Sequence, residues 1–237
     1  MICRPGPQRA EKFLRFSGFP VNYLAMASRF VITLLLAGSA VLYADDNTAT
    51  QALKELMAGN QRYCAKGMTH PHQSPARRTE LAKAQHPFAV VLGCSDSRVP
   101  PEVIFDQGLG DLFVIRVAGN VPSDEVIASI EYAMEHLGAK LIVVLGHQRC
   151  GAVAATLEGG AAEGHLDSLI RRIQPAVAKA KSGHGDVLDN AVRINVQDSV
   201  ALLKNSKPLL AEAEHEGKIR IIGARYDLDS GTVEILP

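Results

Sequence analysis

The chain has 237 residues, 47% hydrophobic, 21% charged and 5% aromatic, with 25 basic and 25 acidic side chains in formal balance. That apolar content excludes an intrinsically disordered polypeptide, and the length suits one sizeable domain. There is no basic excess, and the pairs Arg77–Arg78 and Arg171–Arg172 lack surrounding basic stretches or interleaved aromatics, so no nucleic-acid surface is expected and these arginines read as solvated.

The first segment stands apart. Arg4, Arg9, Lys12, Arg15 and Arg29 precede "FVITLLLAGSAVLYA" at 30–44, an apolar run that ends in small residues ahead of Asp45 and Asp46. A membrane-spanning helix needs roughly 20 apolar residues. This shorter run therefore predicts a secretory signal peptide over 1–44, cleaved near Ala44, with translation starting at Met1 or at Met26. The mature protein is then expected in the periplasm or outside the cell, without a stable membrane anchor, and the separated leader arginines argue against a twin-arginine route. Residues 1–44 carry five basic and one acidic side chain, which leaves 20 against 24 and a net charge of −4. Cys3 departs with the leader, and the odd set Cys64, Cys94 and Cys150 argues against a disulfide framework.

Beyond the leader, "TQALKELMAGNQRYCAKG" at 50–67 has Leu53, Leu56 and Met57 at helical spacing, with Gly59 expected to break the helix. It reads as a packing arm. "THPHQSPA" at 69–76 reads as a loop with His70 and His72 exposed, and "RRTELAKAQ" at 77–85 as a helix. The near-continuous apolar runs 88–93, 112–119 and 140–146 predict strands buried on both faces. Between the second and third lies "PSDEVIASIEYAMEHLGA", a helix with Ser123 as N-cap, acidic residues in its first turn and Gly138 as its stop. A strand in "KIRIIGARYDL", a turn "DSG" and a strand in "TVEIL" predict a C-terminal hairpin. The expected fold is a single α/β domain over 45–237: a mainly parallel sheet flanked by helices, an N-terminal helical arm and that hairpin. The "GLG" at 108–110 precedes a strand, whereas a dinucleotide fold needs its glycines after one.

Two stretches carry chemistry, "VVLGCSDSRVPPE" at 90–102 and "GHQRCGAV" at 146–153. If the first strand continued, alternation would project Cys94, Asp96 and Arg98 from one face. His147 and Cys150, three apart, would share one side of a helix's first turn. Both stretches end predicted strands, and the carboxyl edge of an open α/β sheet is where ligands bind. Cys94, His147 and Cys150 then make a Cys2His set, three ligands for a tetrahedral zinc with one position open, as in catalytic sites. Taken singly, a cysteine after a strand is a small core hydrophobe, an Asp–Arg pair is a common structural ion pair, and H-x-x-C arises by chance. It is the coincidence at two strand ends that points to a metal, with Asp96 placed to accept a hydrogen bond from metal-bound water and Arg98 to orient it.

"CSDSR" with "GHQRCGA" at this separation, together with "DQGLGDLFVIRVAGN", "SIEYAMEHLGAKLIVVLGH" and the later "GARYDL", resembles the β-class carbonic anhydrases over most of residues 50–157. The resemblance implies one zinc per subunit on Cys94, His147 and Cys150, with reversible hydration of carbon dioxide to bicarbonate and a proton by zinc-bound hydroxide. It implies Asp96 and Arg98 as the catalytic dyad, Asp96 also being able to close onto zinc as a fourth ligand. It further implies Gln85 and Gly151 as polar groups at the substrate, Phe113 and Tyr132 as an apolar channel partly supplied by a dimer partner, and self-association as dimer or tetramer. One subgroup has a bicarbonate inhibition pocket of Trp, Arg and Tyr. Arg116 and Tyr226 match two of its positions, but Val91 stands at the Trp position, so that switch is not expected. Relatives that hydrolyse carbon disulfide or carbonyl sulfide, and a non-catalytic zinc or bicarbonate binder, are the alternatives. His86 and His136 are candidate proton shuttles by chemistry alone, and Cys64 has no assigned role.

Overall fold

A computed structural model describes residues 48–159 and 163–237. The expected signal peptide lies outside the described residues. Five strands form one sheet in the order β2–β1–β3–β4–β5, built from β1 (Ala89–Gly93), β2 (Leu112–Arg116), β3 (Leu141–His147), β4 (Arg220–Tyr226) and β5 (Val233–Leu236). All neighbours pair in parallel except β4 with β5, the expected hairpin.

Alternation along β1 and β3 divides the core into two apolar layers. Val91, Val143 and Leu145 face the layer that holds Ala49, Ala52 and Leu56 of α1 (Thr48–Cys64). Val90, Leu92, Ile142 and Val144 face the layer holding Val126, Ile130 and Ala133 of α4 (Asp124–Leu137). Every residue of β1 and β3 is buried, as their apolar runs predict. β2 is different: it is the sheet's edge, its residues are half-buried and Arg116 is exposed, so its run is not covered on both faces. An edge strand and a central one can share the same composition, because hydrophobicity does not report which neighbour is missing.

Gly59 does not break α1. A Cβ there would lie 1.7 Å from the Phe105 carbonyl oxygen, so the glycine serves close packing and the helix runs through it. Asn60, next to it, donates to the carbonyls of Ile104 and Gly231 and accepts from Val233 N–H, which ties the arm to the body and to β5. The short helix α2 (Pro75–Leu81) is capped by Ser74 and ends earlier than expected. Ser123 occupies the N-cap of α4, although its hydroxyl meets Glu125 and not the backbone, and Gly138 ends the helix in the left-handed conformation. His70 and His72 are exposed as expected, the latter paired with Asp111 at 2.7 Å.

Between β3 and β4 the chain builds α5 (Gly151–Glu158), α6 (Leu166–Ala180), α7 (Val187–Lys204) and α8 (Leu209–His215). Helix α7 lies close on the sheet: a Cβ at Gly146 would come 2.4 Å, and one at Gly223 2.8 Å, from methyl carbons of Val196. No helix among the described residues is long and apolar enough to cross a membrane.

Candidate metal centre

β1 and β3 are parallel neighbours with Gly93 opposite Leu145, so both reach the same sheet edge. Cys94 follows the last residue of β1, and His147 is the last residue of β3. Cys150 is the N-cap of α5, reached through a turn in which Arg149 takes φ 54°. The expected shared helical face for His147 and Cys150 is therefore replaced by a strand end and a helix cap, and the intervening turn brings the two together. Cys94, His147 and Cys150 are all buried, with their ligand atoms within 4.8 Å of one another.

Three features fit this set to zinc. The two sulfurs are 4.0 Å apart, close to the spacing of about 3.8 Å that two zinc–sulfur bonds of about 2.3 Å make at a tetrahedral angle. His147 Nδ1 lies 2.9 Å from the carbonyl of Gln148, which can only accept, so the ring proton belongs on Nδ1 and Nε2 keeps its lone pair. That Nε2 is buried without a hydrogen-bond partner, one of two such side-chain atoms among the described residues. An orphaned buried nitrogen costs free energy unless something electrophilic meets it.

The thiols are matched to this task. A hydrogen bond from Cys150 pulls the Cys94 thiol well below its usual range against the opposing effect of burial, with the backbone N–H groups of Asp96 and Gly119 adding to the pull. The same Cys94 contact, followed by burial, pushes Cys150 up. Without a cation the sulfurs do not both ionise, because two adjacent negative charges cannot be buried together.

The strand does not continue to Arg98. The strand ends at Gly93, and Asp96 and Arg98 meet through a turn in which Asp96 Oδ1 accepts the backbone N–H of Arg98 at 3.0 Å. The Arg98 guanidinium then forks onto the carboxylate with bonds of 2.9 and 2.7 Å. This bond to Arg98 is the main reason the Asp96 carboxyl is held below the usual carboxylate range, burial opposing it. Asp96 Oδ2 stands 3.8 Å from His147 Nε2, beside the centre.

Arg116 matches one position of a bicarbonate pocket that Val91 leaves incomplete, and no such pocket is expected. At the end of edge strand β2 its Nε instead donates to the Cys94 carbonyl at 2.9 Å and its Nη2 to the Asp96 carbonyl at 2.6 Å, bracing the loop that carries a ligand and the carboxylate. Tyr226 is buried, with its hydroxyl 3.1 Å from that of Tyr63, and Val91 is buried within β1. The ligand turn is braced too, with Gln148 N–H donating to the Tyr226 carbonyl and Arg149 forking onto Asp229.

The remaining site candidates are dispersed within one chain. Gly151 opens α5 and is exposed, with nothing within 4 Å of where a side chain would begin. Gln85 is exposed and lines a surface hollow with Leu81, Leu109 and Gly110. Phe113 and Tyr132 stack on the flank formed by β2 and α4, 6.3 Å apart, and Tyr132 also stacks on the exposed His136. His86 is exposed. Cys64 is half-buried, burial being the main reason its thiol is pushed up.

A parallel α/β sheet with a buried Cys2His set and one carboxylate at its carboxyl edge defines a zinc-dependent α/β enzyme. Comparison narrows this: residues 89–233 match the family model described as carbonic anhydrase. A carbonic anhydrase of Mycolicibacterium smegmatis is 42% identical over 188 residues, 78% of this chain and 91% of that protein. Carbonic anhydrase 2 of Mycobacterium tuberculosis is 42% identical over 184 residues, covering 76% and 89%. Among solved structures, a tetrameric β-carbonic anhydrase of Sordaria macrospora superposes with a TM-score of 0.64 at 28% identity, covering 79% of this chain and 94% of that one. The Coccomyxa β-carbonic anhydrase in complex with acetazolamide gives 0.61 at 29% identity, covering 79% and 85%. The chain belongs to the carbonic anhydrase family, in its β class, and its metal is zinc.

Proposed function

We infer that the chain hydrates carbon dioxide reversibly at this centre, with Asp96 and Arg98 as its catalytic pair. The observation that carries the reading is the orphaned Nε2 of His147, set between two sulfurs with an arginine-held carboxylate 3.8 Å away. Zinc, when bound, supplies the Lewis acid that turns water into a nucleophile, and two thiolates offset its charge more than three neutral imidazoles would, which moves that acidity toward alkaline pH. Asp96, kept anionic by Arg98, accepts a hydrogen bond from the entering water and so aims its lone pair. The fork of Arg98 holds Asp96 in this orientation, away from a ligand position.

Gln85, Phe113 and Tyr132 serve the carbon dioxide pocket only if a second copy of the chain completes it. Support comes from the exposure of Gln85 and Tyr132, from the half-covered edge strand β2 that carries Phe113, and from the tetrameric relative. Gly151, with open space beside it, supplies a backbone donor at the mouth. The basic, apolar, small-residue order of 1–44 supports export to the periplasm.

The test is stopped-flow hydration of carbon dioxide by the zinc-loaded mature protein from acid to alkaline pH. The expected result is a rate that climbs toward alkaline pH. A rate flat below neutral pH contradicts the two-thiolate argument. No rate above buffer with zinc bound overturns hydration and leaves sulfur-substrate hydrolysis or passive binding.

A further inference from the structure

The Cys94 sulfur has one polar neighbour from outside both ligand stretches. After β2 the chain turns through Ala118–Asn120, where Gly119 takes φ 69°, in the left-handed region. Its N–H donates to Cys94 Sγ over 3.3 Å. Its carbonyl accepts from Asn195 Nδ2 at 2.9 Å. Both backbone polar groups of this glycine are thus engaged, one by a metal ligand and the other by a side chain from helix α7, 76 positions further along. Any side chain there is strained: φ lies in the left-handed region, and a Cβ would stand 2.7 Å from Ile173 Cδ1 and 3.3 Å from the Ala152 side chain.

Asn195 is only 3% exposed. The backbone of α7 is independently fixed, because Val196 beside it packs against Gly146 and Gly223. The amide therefore acts from a rigid base. A backbone N–H aimed at a ligand sulfur fixes the position and orientation of that sulfur toward the metal, and does so only while the N–H is held on target. The Gly119 turn has walls on the α5 and α6 side, and Asn195 supplies the tie on the other.

We propose that Asn195 is a positioning residue for the zinc centre: by fixing Gly119 it holds the N–H on Cys94 Sγ and so sets how tightly the site grips its metal. This rests on Cys94 being a zinc ligand, and is independent of which substrate the enzyme takes. Loss of such an outer partner lowers metal affinity by about 10- to 100-fold.

The experiment uses the full chain and four variants: Asn195→Ala, the gentler Asn195→Ser, the isosteric non-donor Asn195→Asp, and Ser199→Ala. Ser199 is the neighbour control, since it is buried on the same helix and its hydroxyl donates to the Asn195 carbonyl. Zinc dissociation constants come from competition with a chromogenic chelator. The sulfur-to-metal charge-transfer band of the cobalt(II) form reports directly on the thiolates. The Asn195 variants are expected to bind zinc about 10- to 100-fold more weakly and to shift the cobalt band, with Asn195→Ser able to decide alone if the others fail to fold. Ser199→Ala is expected to lower the melting temperature and leave both metal readouts unchanged. Asn195 variants with wild-type zinc affinity and cobalt band would overturn the proposal, and so would an equal loss in Ser199→Ala, which would mean general loosening of α7. Neither readout requires turnover, so failure to hydrate carbon dioxide would sink the hydration reading and leave this one standing.

Discussion

Replacing Arg116 by alanine removes both donors that hold the loop from Cys94 to Asp96, one at 2.9 Å and one at 2.6 Å. A hydrogen bond from a charged group is worth about 1.5–3 kcal/mol, and partial exposure of the arginine argues for about 1–1.5 kcal/mol each, together about 2–3 kcal/mol. Charged to the transition state, that is a loss of roughly 30- to 150-fold, since each 1.4 kcal/mol is about tenfold. The loss should fall on kcat more than on KM, because Arg116 sets the placement of Asp96 and does not reach toward the dissolved gas. Arg116→Lys, which keeps charge but not the fork, should lie between wild type and alanine. Stopped-flow hydration across pH, on samples of equal zinc content, makes the comparison. An alanine variant with wild-type kcat at every pH would show that the loop holds itself, and the bracing argument would be wrong.

Three further outcomes are expected. Asn60→Ala leaves the buried Gly231 carbonyl and Val233 N–H without this partner, which should cost about 2–5 kcal/mol and lower the melting temperature by roughly 5–15 °C in calorimetry. Burial would raise the Asp106 carboxyl, but the ion pair with Arg62 and the N–H groups of Thr69 and His70 outweigh it and hold it below the usual range. Because that folded-state pKa is depressed, its stabilisation is complete above the unfolded value of about 3.9 and disappears as pH falls through the folded one. Urea midpoints should therefore drop below about pH 4, and the drop should be shallower in Asp106→Asn, which is less stable at neutral pH; parallel curves would refute the assignment. Stripping zinc with a chelator should lower the melting temperature by roughly 10 °C if zinc had been present at about a thousand times its dissociation constant. Cys150→Ser should melt at one temperature with or without chelator, and a chelator-sensitive melt in that variant would exclude Cys150 as a ligand.

Much of the centre could be read from the chain. Cys94, His147 and Cys150 lie at the ends of two apolar runs, and parallel strands bring such ends to one edge. Local geometry was less legible. Alternation promised a shared face for Cys94, Asp96 and Arg98, but the strand stops at Gly93 and a turn makes the Asp96–Arg98 contact instead. Arg116 was given no working role once Val91 ruled out the bicarbonate pocket, and nothing in "LFVIR" says that its guanidinium folds back onto two carbonyls. The helices α6 and α7 and the Asn195 contact were not read at all, because their meaning depends on what they pack against. The one local signal was "VAGN", a glycine three residues past the end of β2, which marks a turn without naming its partner. The sequence also does not tell that Gln85 lines a surface hollow while Phe113 meets Tyr132 on the flank of β2 and α4.

The furrow left by Gly146 and Gly223 works as a mechanical stop. It is one methyl group deep, and Val196 seats in it, so the height of α7 above the sheet is fixed at the residue adjoining Asn195. Adding a methyl at Gly146 would lift the helix by a distance comparable with the tolerance of a hydrogen bond, a few tenths of an ångström to an ångström. A substitution beneath α7 would then surface as a change in how firmly a metal is kept, with no metal ligand replaced. If Asn195 positions Gly119 as proposed, two glycines far apart in sequence set both the seat of the helix and the hydrogen bond that reaches the sulfur.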